Sequence, residues 1–253
     1  KKPGEKGRWP EEKLQAWQAA HNRLPTDAER QAQQGAWMLR STDGGVTWSP
    51  RYPTPVFAPH GPIQLVDGRL LYAGKELFQK TTRMGVAESK DDGLTWQWLA
   101  AFPTRPGDKE GYYAEPHLAQ AGDGRIVVHL RNENTANFRE TLQCESRDGG
   151  KTWSELRPIT WGMPAHLLKL RNGGLLTTYG HRRKPFGVQA RLSRDHGETW
   201  SEPMVVCDDA ANTDHGYPST VELADGTLLT VWYEVPKDKP HAVLRQARWK
   251  VTG

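Results

Sequence analysis

Seven polar side chains occupy related places in a pattern of extended segments, and their types suggest a site for an anion. Three lie one or two residues before a proline that begins a segment, and four lie where the next segment ends: His60, Glu115 and Tyr217, then Lys75, Arg131, Arg182 and Glu234. Arginine binds a carboxylate through two parallel hydrogen bonds. If the fold brings these positions to one opening, cations, a glutamate and a tyrosine would surround an anion-binding pocket.

That convergence depends on a repeated hairpin motif. The pattern S-x-D-x-G-x-T-W occurs without a mismatch at 41–48, 89–96, 146–153 and 193–200. In each copy the aspartate can accept hydrogen bonds from turn N–H groups, and the glycine supplies a positive φ that a Cβ would resist. The tryptophan then returns to a strand, where its indole can be buried. Because four copies are equivalent, we interpret these aspartates as scaffold rather than as catalytic or metal-binding groups.

A second hairpin signal lies between these Asp boxes. Each copy has a proline, a strand, an Asp-Gly or Asn-Gly turn and another strand, at 62–72, 116–127, 164–173 and 218–229. The two hairpins together make units of four antiparallel strands, about 50 residues long, which are typical of propeller blades. We therefore predict whole blades at 60–101, 114–158 and 163–206, the last hairpin of another blade at 37–55, and three strands of a final blade at 217–250.

The order of the strands predicts which end of the blades carries the site. Both turns of a unit lie on one face, so the starts of first strands and the ends of second strands share the opposite mouth. Glu115 and Arg131 should therefore be neighbours across one open hairpin end. Residues 1–253 are predicted to be a single all-β propeller domain with about five blades visible. It would be incomplete at the N-terminus, because no strand that could close the ring is seen.

The first part of the chain breaks the repeat. Residues 10–24 begin with a proline and two glutamates and continue with strong helix formers, which predicts one short helix. We interpret residues 10–36 as a helical insertion over one rim of the propeller.

The composition excludes several classes of protein. The net charge is +4 and the pI about 9.0, but no long Lys/Arg run or nucleic-acid motif is present, so nucleic acid is not expected as a partner. No apolar run approaches the roughly 20 residues of a membrane span. Cys144 and Cys207 fall in different predicted blades and are expected to be unpaired thiols. No signal peptide is visible, although the chain begins at Lys1 rather than at a methionine.

The main candidates also have purely structural interpretations. Arg131 could form only a structural ion pair with Glu115. Tyr217 could be a core aromatic residue that caps the last blade.

The other candidates are similarly open. His60 fits a binding or supporting group better than a base, and Lys75 could be a solvated strand end. Arg182 is preferred over Arg183, because Arg183 and Lys184 together are typical of loop charge.

Two segments resemble the sialidase (neuraminidase) superfamily of six-bladed β-propellers. In residues 216–234 a tyrosine precedes a serine, an Asp-Gly turn and a Tyr-Glu pair, as in the closing segment of that family. Residues 115–131, followed by Ser146 of the next Asp box, resemble its segment with a glutamate and an arginine. The resemblance extends over about residues 37–250 and implies a sialidase-like fold.

By this resemblance Tyr217 would be the nucleophile, Glu115 the base that deprotonates it, and Arg131 and Arg182 the groups that hold a substrate carboxylate. A sialic acid carries its carboxylate on the reacting carbon, so a carboxylate nucleophile would be repelled. A neutral tyrosine with an adjacent base avoids that repulsion and permits a retaining two-step reaction. The other residues of the predicted mouth would contact the substrate.

The sequence departs from the family at three points. The family's first arginine, in an early strand, has no match. Its aspartate acid/base is also missing unless Asp27 in the predicted insertion takes that role. Proline follows Tyr217 where the family usually has serine. Either a missing N-terminal part supplies both groups, or the chain is a divergent member that acts on another acidic sugar.

We therefore expect an exo-glycoside hydrolase that removes a terminal acidic sugar, such as sialic acid, from a sialylated glycoconjugate with retention. The reaction needs no metal or other cofactor, and the substrate class implies an extracellular or periplasmic location. Two alternatives stay open. One is a non-catalytic Asp-box propeller that binds glycans or proteins, and the other is a different propeller glycosidase or lyase that uses His60 and Tyr217.

Overall fold

The computed structural model describes residues 10–77, 82–239 and 241–251, and the chain divides into two compact units between residues 35 and 36. The first unit holds two helices, α1 (Glu11–His21) and α2 (Asp27–Ala32). The predicted helix is confirmed as α1, which begins after Pro10. Helix α2 lies after the predicted helix and was not itself predicted. It begins with a capping box, in which the Thr26 hydroxyl accepts from the Glu29 N–H and the Glu29 carboxylate accepts from the Thr26 N–H.

The second unit is built from antiparallel sheets that follow one another along the chain. Its first described sheet has two short strands, β1 (Trp37–Met38) and β2 (Tyr52–Pro53). The next three sheets have four strands each: β3 (Ile63–Gln64), β4 (Leu70–Lys75), β5 (Met84–Ser89) and β6 (Gln97–Ala101); β7 (Tyr113–Gln120), β8 (Ile126–Asn132), β9 (Glu140–Ser146) and β10 (Arg157–Trp161); β11 (Ala165–Lys169), β12 (Leu175–His181), β13 (Gly187–Ser193) and β14 (Met204–Cys207). The last sheet has three strands: β15 (His215–Glu222), β16 (Leu228–Glu234) and β17 (Val243–Trp249).

These sheets confirm the predicted β-propeller and the blades assigned from the repeats. Within each sheet the strands pair in chain order, so consecutive strands form hairpins. The first strands of neighbouring sheets lie side by side, because β7 contacts β11 and β11 contacts β15. This is the arrangement of strands around the axis of a propeller.

The Asp boxes form the hydrogen bonds that the motif predicts. In the third box, Asp148 accepts from the N–H of Thr152 at 2.9 Å and from its hydroxyl at 2.7 Å. These bonds lower the pKa of Asp148 to about 2. Gly150 has a φ of 93°, and its carbonyl accepts from the Trp153 indole at 3.1 Å. Both carboxylate oxygens of Asp148 accept hydrogen bonds within its own turn, as expected for a scaffold residue.

The largest apolar cluster lies between the sheets that contain β4 and β7. Leu71, Leu118 and Leu142 are fully buried in it, and Trp153 packs edge-on against Phe102 with ring centroids 4.9 Å apart. Apolar burial of this kind is the main stabilising contribution in folding. It fixes the position of β7, where Glu115 lies.

Cys144 in β9 and Cys207 in β14 are both free thiols, as expected. Within the described ranges, no helix has the length and apolar character needed to cross a membrane.

Candidate active site

Glu115 and Tyr217 are positioned by the same local distortion at the start of two strands. Each precedes a proline in the first strand of its sheet, Glu115 in β7 and Tyr217 in β15. The pairing register of both strands shifts at these residues. Both have a positive φ, 50° and 52°, in the left-handed region that residues other than glycine rarely adopt. Such bulges re-aim side chains, and here the two side chains meet.

The hydroxyl of Tyr217 donates a hydrogen bond to the carboxylate of Glu115. Arg131 donates from Nη1 to Glu115 Oε2 at 2.8 Å, and the same Nη1 lies 3.5 Å from the Tyr217 oxygen. Burial and the hydrogen bond to Glu115 raise the pKa of Tyr217 to about 12. The phenol is therefore neutral at physiological pH and has a proton acceptor beside it.

Arg131 is held by two carboxylates. Besides Glu115, its guanidinium donates to Glu133, two residues further along the chain. The ion pair between Arg131 and Glu115, one of the structural alternatives for this residue, is present. It coexists with the hydrogen bond between Glu115 and Tyr217.

Arg182 follows β12 and lies beside the backbone of Gly216. A Cβ at Gly216 would come within 3.3 Å of Arg182 Nη2, so glycine leaves room for the guanidinium next to Tyr217. Burial lowers the pKa of Arg182, and no described residue forms a hydrogen bond with its buried Nε. Arg183 lies instead over the ring of Trp161, with its guanidinium carbon 3.7 Å from the ring centroid. Of the two arginines, only Arg182 lies next to Tyr217.

Tyr233 joins the site, whereas Glu234 lies elsewhere. Tyr233 pairs with Gly216 across β15 and β16, and its ring centroid is 5.9 Å from that of Tyr217. Glu234 is the next residue along the strand and is 6% exposed. Its carboxylate accepts from Arg245 Nη1 at 3.0 Å and is not brought to the other candidates. Adjacent strand residues point to opposite faces of a sheet, which accounts for this separation.

Lys75 lies on the wall of a cavity that Glu115 and Tyr217 also line. The cavity has a volume of about 440 Å³ and is lined by Phe57, Ala58, Pro59, Lys75, Leu77, Ala114, Glu115 and Tyr217. The Lys75 amine donates to the carbonyls of Gly111 at 2.7 Å and Tyr113 at 3.2 Å. Burial lowers its pKa. The Lys75 amine is therefore fixed by two backbone carbonyls, and Lys75 is not a freely solvated strand end.

His60 lies in a group of three histidines. Its ring centroid is 5.0 Å from that of His117 and 6.0 Å from that of His166, and the latter two rings stack at 4.5 Å. Burial lowers the pKa of His60 to about 4, and its Nε2 is buried without a hydrogen-bond partner among the described residues. The ring contacts of His60 are with His117 and His166, so the structure groups it with these histidines.

Two charged residues of this region were missed by the sequence reasoning. Glu133 lies two residues after Arg131, on the same side of an extended segment, so its contact with Arg131 could have been inferred. Arg139 lies just before β9 in a connection that the repeats do not describe, and no sequence signal identifies it. Asp27, the suggested acid/base, is the first residue of α2 and pairs with Arg30. Among the described residues, no group of three His, Cys, Asp or Glu side chains is arranged to hold a metal ion.

Curated relatives with a named activity match large parts of the chain, among them a sialidase and a xyloglucanase of Acetivibrio thermocellus, which is 26% identical over 193 residues, or 64% of this chain and 20% of the xyloglucanase. The chain is 25% identical over 247 residues to a sialidase of Bacteroides fragilis (strain YCH46), a match that covers 87% of this chain and 42% of the sialidase. The chain therefore spans less than half the length of that relative.

Many solved structures are similar in fold, and two of them illustrate the range. A protein of unknown function from Dyadobacter fermentans DSM 18053 has a TM-score of 0.73 at 25% identity, over 85% of this chain and 64% of that one. A variant of NanB sialidase from Streptococcus pneumoniae has a TM-score of 0.64 at 18% identity, over 85% of this chain and 35% of that one. The fold is thus the sialidase-like propeller, and the relatives with a named activity are glycoside hydrolases of several kinds, among them sialidases, a xyloglucanase and an α-L-arabinanase.

The model of the BNR repeat-like domain family matches residues 7–230. This range includes all four Asp boxes, Glu115 and Tyr217. Because the match extends over most of its length, the chain belongs to the BNR repeat-like domain family.

Proposed function

We propose that this chain carries the catalytic centre of a sialidase-like exo-glycosidase, which removes a terminal acidic sugar with retention of configuration. The observation that supports this most directly is the hydrogen bond from the Tyr217 hydroxyl to the Glu115 carboxylate, beside Arg131 and Arg182. A nucleophile that donates to an adjacent base is the arrangement expected for covalent catalysis.

In the first step the Tyr217 oxygen attacks the anomeric carbon while Glu115 accepts the phenolic proton. The bond to the leaving group breaks, the departing oxygen takes a proton from solvent, and a glycosyl–tyrosine intermediate forms. In the second step a water molecule attacks the same carbon and releases a proton to solvent, while Glu115 returns its proton to the departing tyrosine oxygen. Because the pKa of Tyr217 is raised to about 12, the nucleophile approaches an anionic sugar as a neutral group.

The arginines of the mouth would bind the carboxylate of the sugar. By the family resemblance these are Arg131 and Arg182, and Arg182 is supported by its buried Nε, which has no hydrogen-bond partner in the described part of the chain. Lys75 is proposed to contact the substrate, since it lines the same cavity as Glu115 and Tyr217. His60 and Glu234 stay predictions from the sequence, because their contacts lie with other side chains.

The partner of this site would be a sialylated glycoconjugate or another glycan that ends in an acidic sugar. Such glycans occur outside the cytoplasm, so we propose an extracellular or periplasmic location. The sialidase from Bacteroides fragilis supports the substrate class by its name.

The proposal is tested by the release of sialic acid from sialyllactose and by the variants Tyr217→Phe and Glu115→Gln. Removal of a general base typically costs about 10²–10⁴-fold in rate, and we expect losses of at least that order in both variants. Proton NMR of the first-released anomer should show retention. Full activity in Tyr217→Phe, or release with inversion, would overturn the assignment of the nucleophile.

The same experiment separates the enzyme from a non-catalytic glycan-binding propeller. A binding protein would hold sialyllactose without releasing sugar, and Tyr217→Phe would leave that binding nearly unchanged. The carboxylate of Glu115, held against a hydroxyl inside the cavity, favours the enzyme because a binding site for an anion gains nothing from it.

A further inference from the structure

The proposed reaction leaves one proton without a protein group to carry it. Glu115 accepts and returns the proton of Tyr217, so it is not free to protonate the oxygen of the leaving group or to deprotonate the attacking water. In a retaining glycosidase one residue performs both tasks in turn. Such a residue has to lie in the mouth and to change its charge twice in each cycle.

Two carboxylates of this region are held in their charged form. Glu133 forms an ion pair with Arg131, and Glu234 forms one with Arg245. A neighbouring cation favours the charged form of a carboxylate, which makes both residues poor proton donors. Asp214 differs from them, because it forms no ion pair with any residue that the structure describes, and its carboxylate accepts a hydrogen bond from a neutral hydroxyl instead.

That hydroxyl belongs to Tyr233, which lies beside the proposed nucleophile. The ring centroids of Tyr233 and Tyr217 are 5.9 Å apart, and the Tyr233 hydroxyl donates to Asp214 Oδ1 at 2.9 Å. Burial and the hydrogen bond to Asp214 raise the pKa of Tyr233, so the phenol keeps its proton. The charges of Arg182 and Arg131 act on the pKa of the same phenol in the opposite direction, which places its hydroxyl end within the site.

Hydrogen bonds of the preceding turn fix Asp214 at the mouth. Its N–H donates to Asn212 Oδ1 at 2.7 Å, and its carbonyl accepts from the N–H of Val235 at 3.0 Å. Asn212 Nδ2 donates to the carbonyl of Val235 at 2.9 Å. Because Asp214 precedes β15 and Val235 follows β16, these contacts lie at the open end of the hairpin, where the residues of the mouth lie. Asp214 is exposed, so its carboxylate is held in place and still exchanges protons with water.

We propose that Asp214 is the general acid and base for the leaving group and the water, and that Tyr233 is the residue that positions it. In the first step Asp214, as the carboxylic acid, gives its proton to the oxygen of the leaving group while the glycosidic bond breaks. In the second step the Asp214 carboxylate takes a proton from the water that attacks the anomeric carbon, which restores the acid. Asp214 thus takes the place of solvent in the proposed function, on which this inference rests.

The test compares two substrates of the whole chain that differ in their need for an acid. Lactose is a poor leaving group and needs a proton, whereas p-nitrophenolate leaves without one. In Asp214→Ala, kcat/KM for sialyllactose should fall about a hundredfold or more, as is typical when a general acid is lost. The kcat/KM for the p-nitrophenyl sialoside reports its first step and should stay within about threefold of wild type.

The second step gives an independent readout. With the p-nitrophenyl substrate, Asp214→Ala should accumulate the glycosyl–tyrosine intermediate and show a burst of p-nitrophenolate followed by slow turnover. Azide attacks without having to lose a proton, so it should raise the slow turnover about tenfold or more. The product should be the glycosyl azide with the configuration of the substrate. A purely structural role of Asp214 would produce neither the burst nor the rescue.

The variant Tyr233→Phe tests the positioning role. It removes the hydroxyl that donates to the Asp214 carboxylate. Because that hydrogen bond favours the charged carboxylate, its loss should move the alkaline limb of the pH profile of kcat/KM for sialyllactose to higher pH. The matched control is Asp225→Ala, at the turn on the other end of the same hairpin, which should change neither the rates nor the profile.

Two results would overturn the assignment of Asp214. If Asp214→Ala slows both substrates equally, or if azide does not raise its turnover, this inference is wrong, while the proposed function is judged separately by Tyr217→Phe. If the wild type releases sugar from neither substrate, the proposed function fails and this inference fails with it. Thermal melts show whether each variant is folded, and Asp214→Asn, which keeps the size of the side chain, should show the same selective loss with sialyllactose.

Discussion

Glu115 and Tyr217 occupy the same position in two different sheets, and their side chains form a hydrogen bond with each other. Each lies immediately before the proline of a first strand and has a φ near 50°. The corresponding residue before Pro62 is Gly61, which has a φ of 74°. The scaffold thus repeats a left-handed position that suits glycine, and in two blades that position carries a side chain of the site.

The first prediction is that Glu115 is strained by this position. A left-handed conformation costs a residue with a Cβ roughly 1–2 kcal/mol relative to glycine. Glu115→Gly and Glu115→Ala lose the same contacts, so the glycine variant should be more stable than the alanine variant by about 1 kcal/mol. Urea unfolding followed by tryptophan fluorescence measures the difference.

Ser219 supplies the matched control, because it is an exposed residue of β15 with an ordinary strand backbone. In a strand, glycine is less stable than alanine by about 0.5–1 kcal/mol. The free energy of unfolding of Ser219→Gly should therefore be lower than that of Ser219→Ala. If the alanine variant is more stable than the glycine variant at residue 115 as well as at residue 219, Glu115 is not strained.

The second prediction concerns two Asp boxes with one sequence pattern and different burial. Trp153 packs against Phe102 and the main core, whereas Trp48 is 60% exposed. Both indoles donate to the glycine of their own box at 3.1 Å, so the local motif is the same. Trp153→Ala should cost about 3 kcal/mol of unfolding free energy, as large aromatic deletions in cores do. Trp48→Ala should cost less than about 1 kcal/mol.

Chemical denaturation of the two variants measures these costs directly. Equal losses would mean that the boxes stabilise the fold through their own turns rather than through the packing of the indole.

The repeats predicted the blades and the mouth because they encode strand order. Once each unit is known to run strand, turn, strand, the starts of first strands and the ends of second strands must share a face. Glu115, Arg131, Arg182 and Tyr217 were placed near one another on that basis alone. The bulges that turn Glu115 and Tyr217 toward each other could not be inferred in this way, because a register shift of one residue leaves no clear trace in the sequence.

Strand order alone does not predict the place of two residues, Tyr233 and Arg139. Tyr233 and Glu234 end the same strand, and the pattern gives no reason to choose between them until the pairing of Tyr233 with Gly216 is known. Arg139 lies in the connection between β8 and β9, where no repeat constrains the backbone. Residues in such connections depend on tertiary contacts, here the hydrogen bonds to Asn132 and Gly162.

The third prediction is a loss of stability in mild acid. His60, His117 and His166 face one another, and His129 lies close enough to lower the pKa of His117 as well. Burial lowers the pKa of His60 and of His166 to about 4, below the ordinary value of about 6.5. Because the unfolded chain binds protons first, the stabilising contribution is complete above pH 6.5 and is lost as the pH falls toward 4.

The variant His117→Asn tests this dependence. The Nδ1 of His117 accepts from the Leu167 N–H at 2.9 Å, and the asparagine oxygen can replace that acceptor without binding a proton. The unfolding free energy of the variant should fall less steeply between pH 6.5 and 4.5 than that of wild type. His241→Asn, at an exposed histidine, should leave the slope unchanged. An unaltered slope in His117→Asn would assign the acid sensitivity to other groups.

The fourth prediction is that the charges around Tyr217 control its ionisation in opposite directions. Glu115 raises the pKa of Tyr217 and the arginines lower it, with burial the largest cause of a value of about 12. Glu115→Gln should therefore lower the pKa by about one unit or more toward that of free tyrosine, whereas Arg182→Gln should raise it. Ultraviolet absorbance of tyrosinate, recorded as the difference from the same variant carrying Tyr217→Phe, isolates this one phenol. If Glu115→Gln leaves the midpoint where it is in wild type, the carboxylate is not held against the hydroxyl, and Glu115 cannot be the group that deprotonates it.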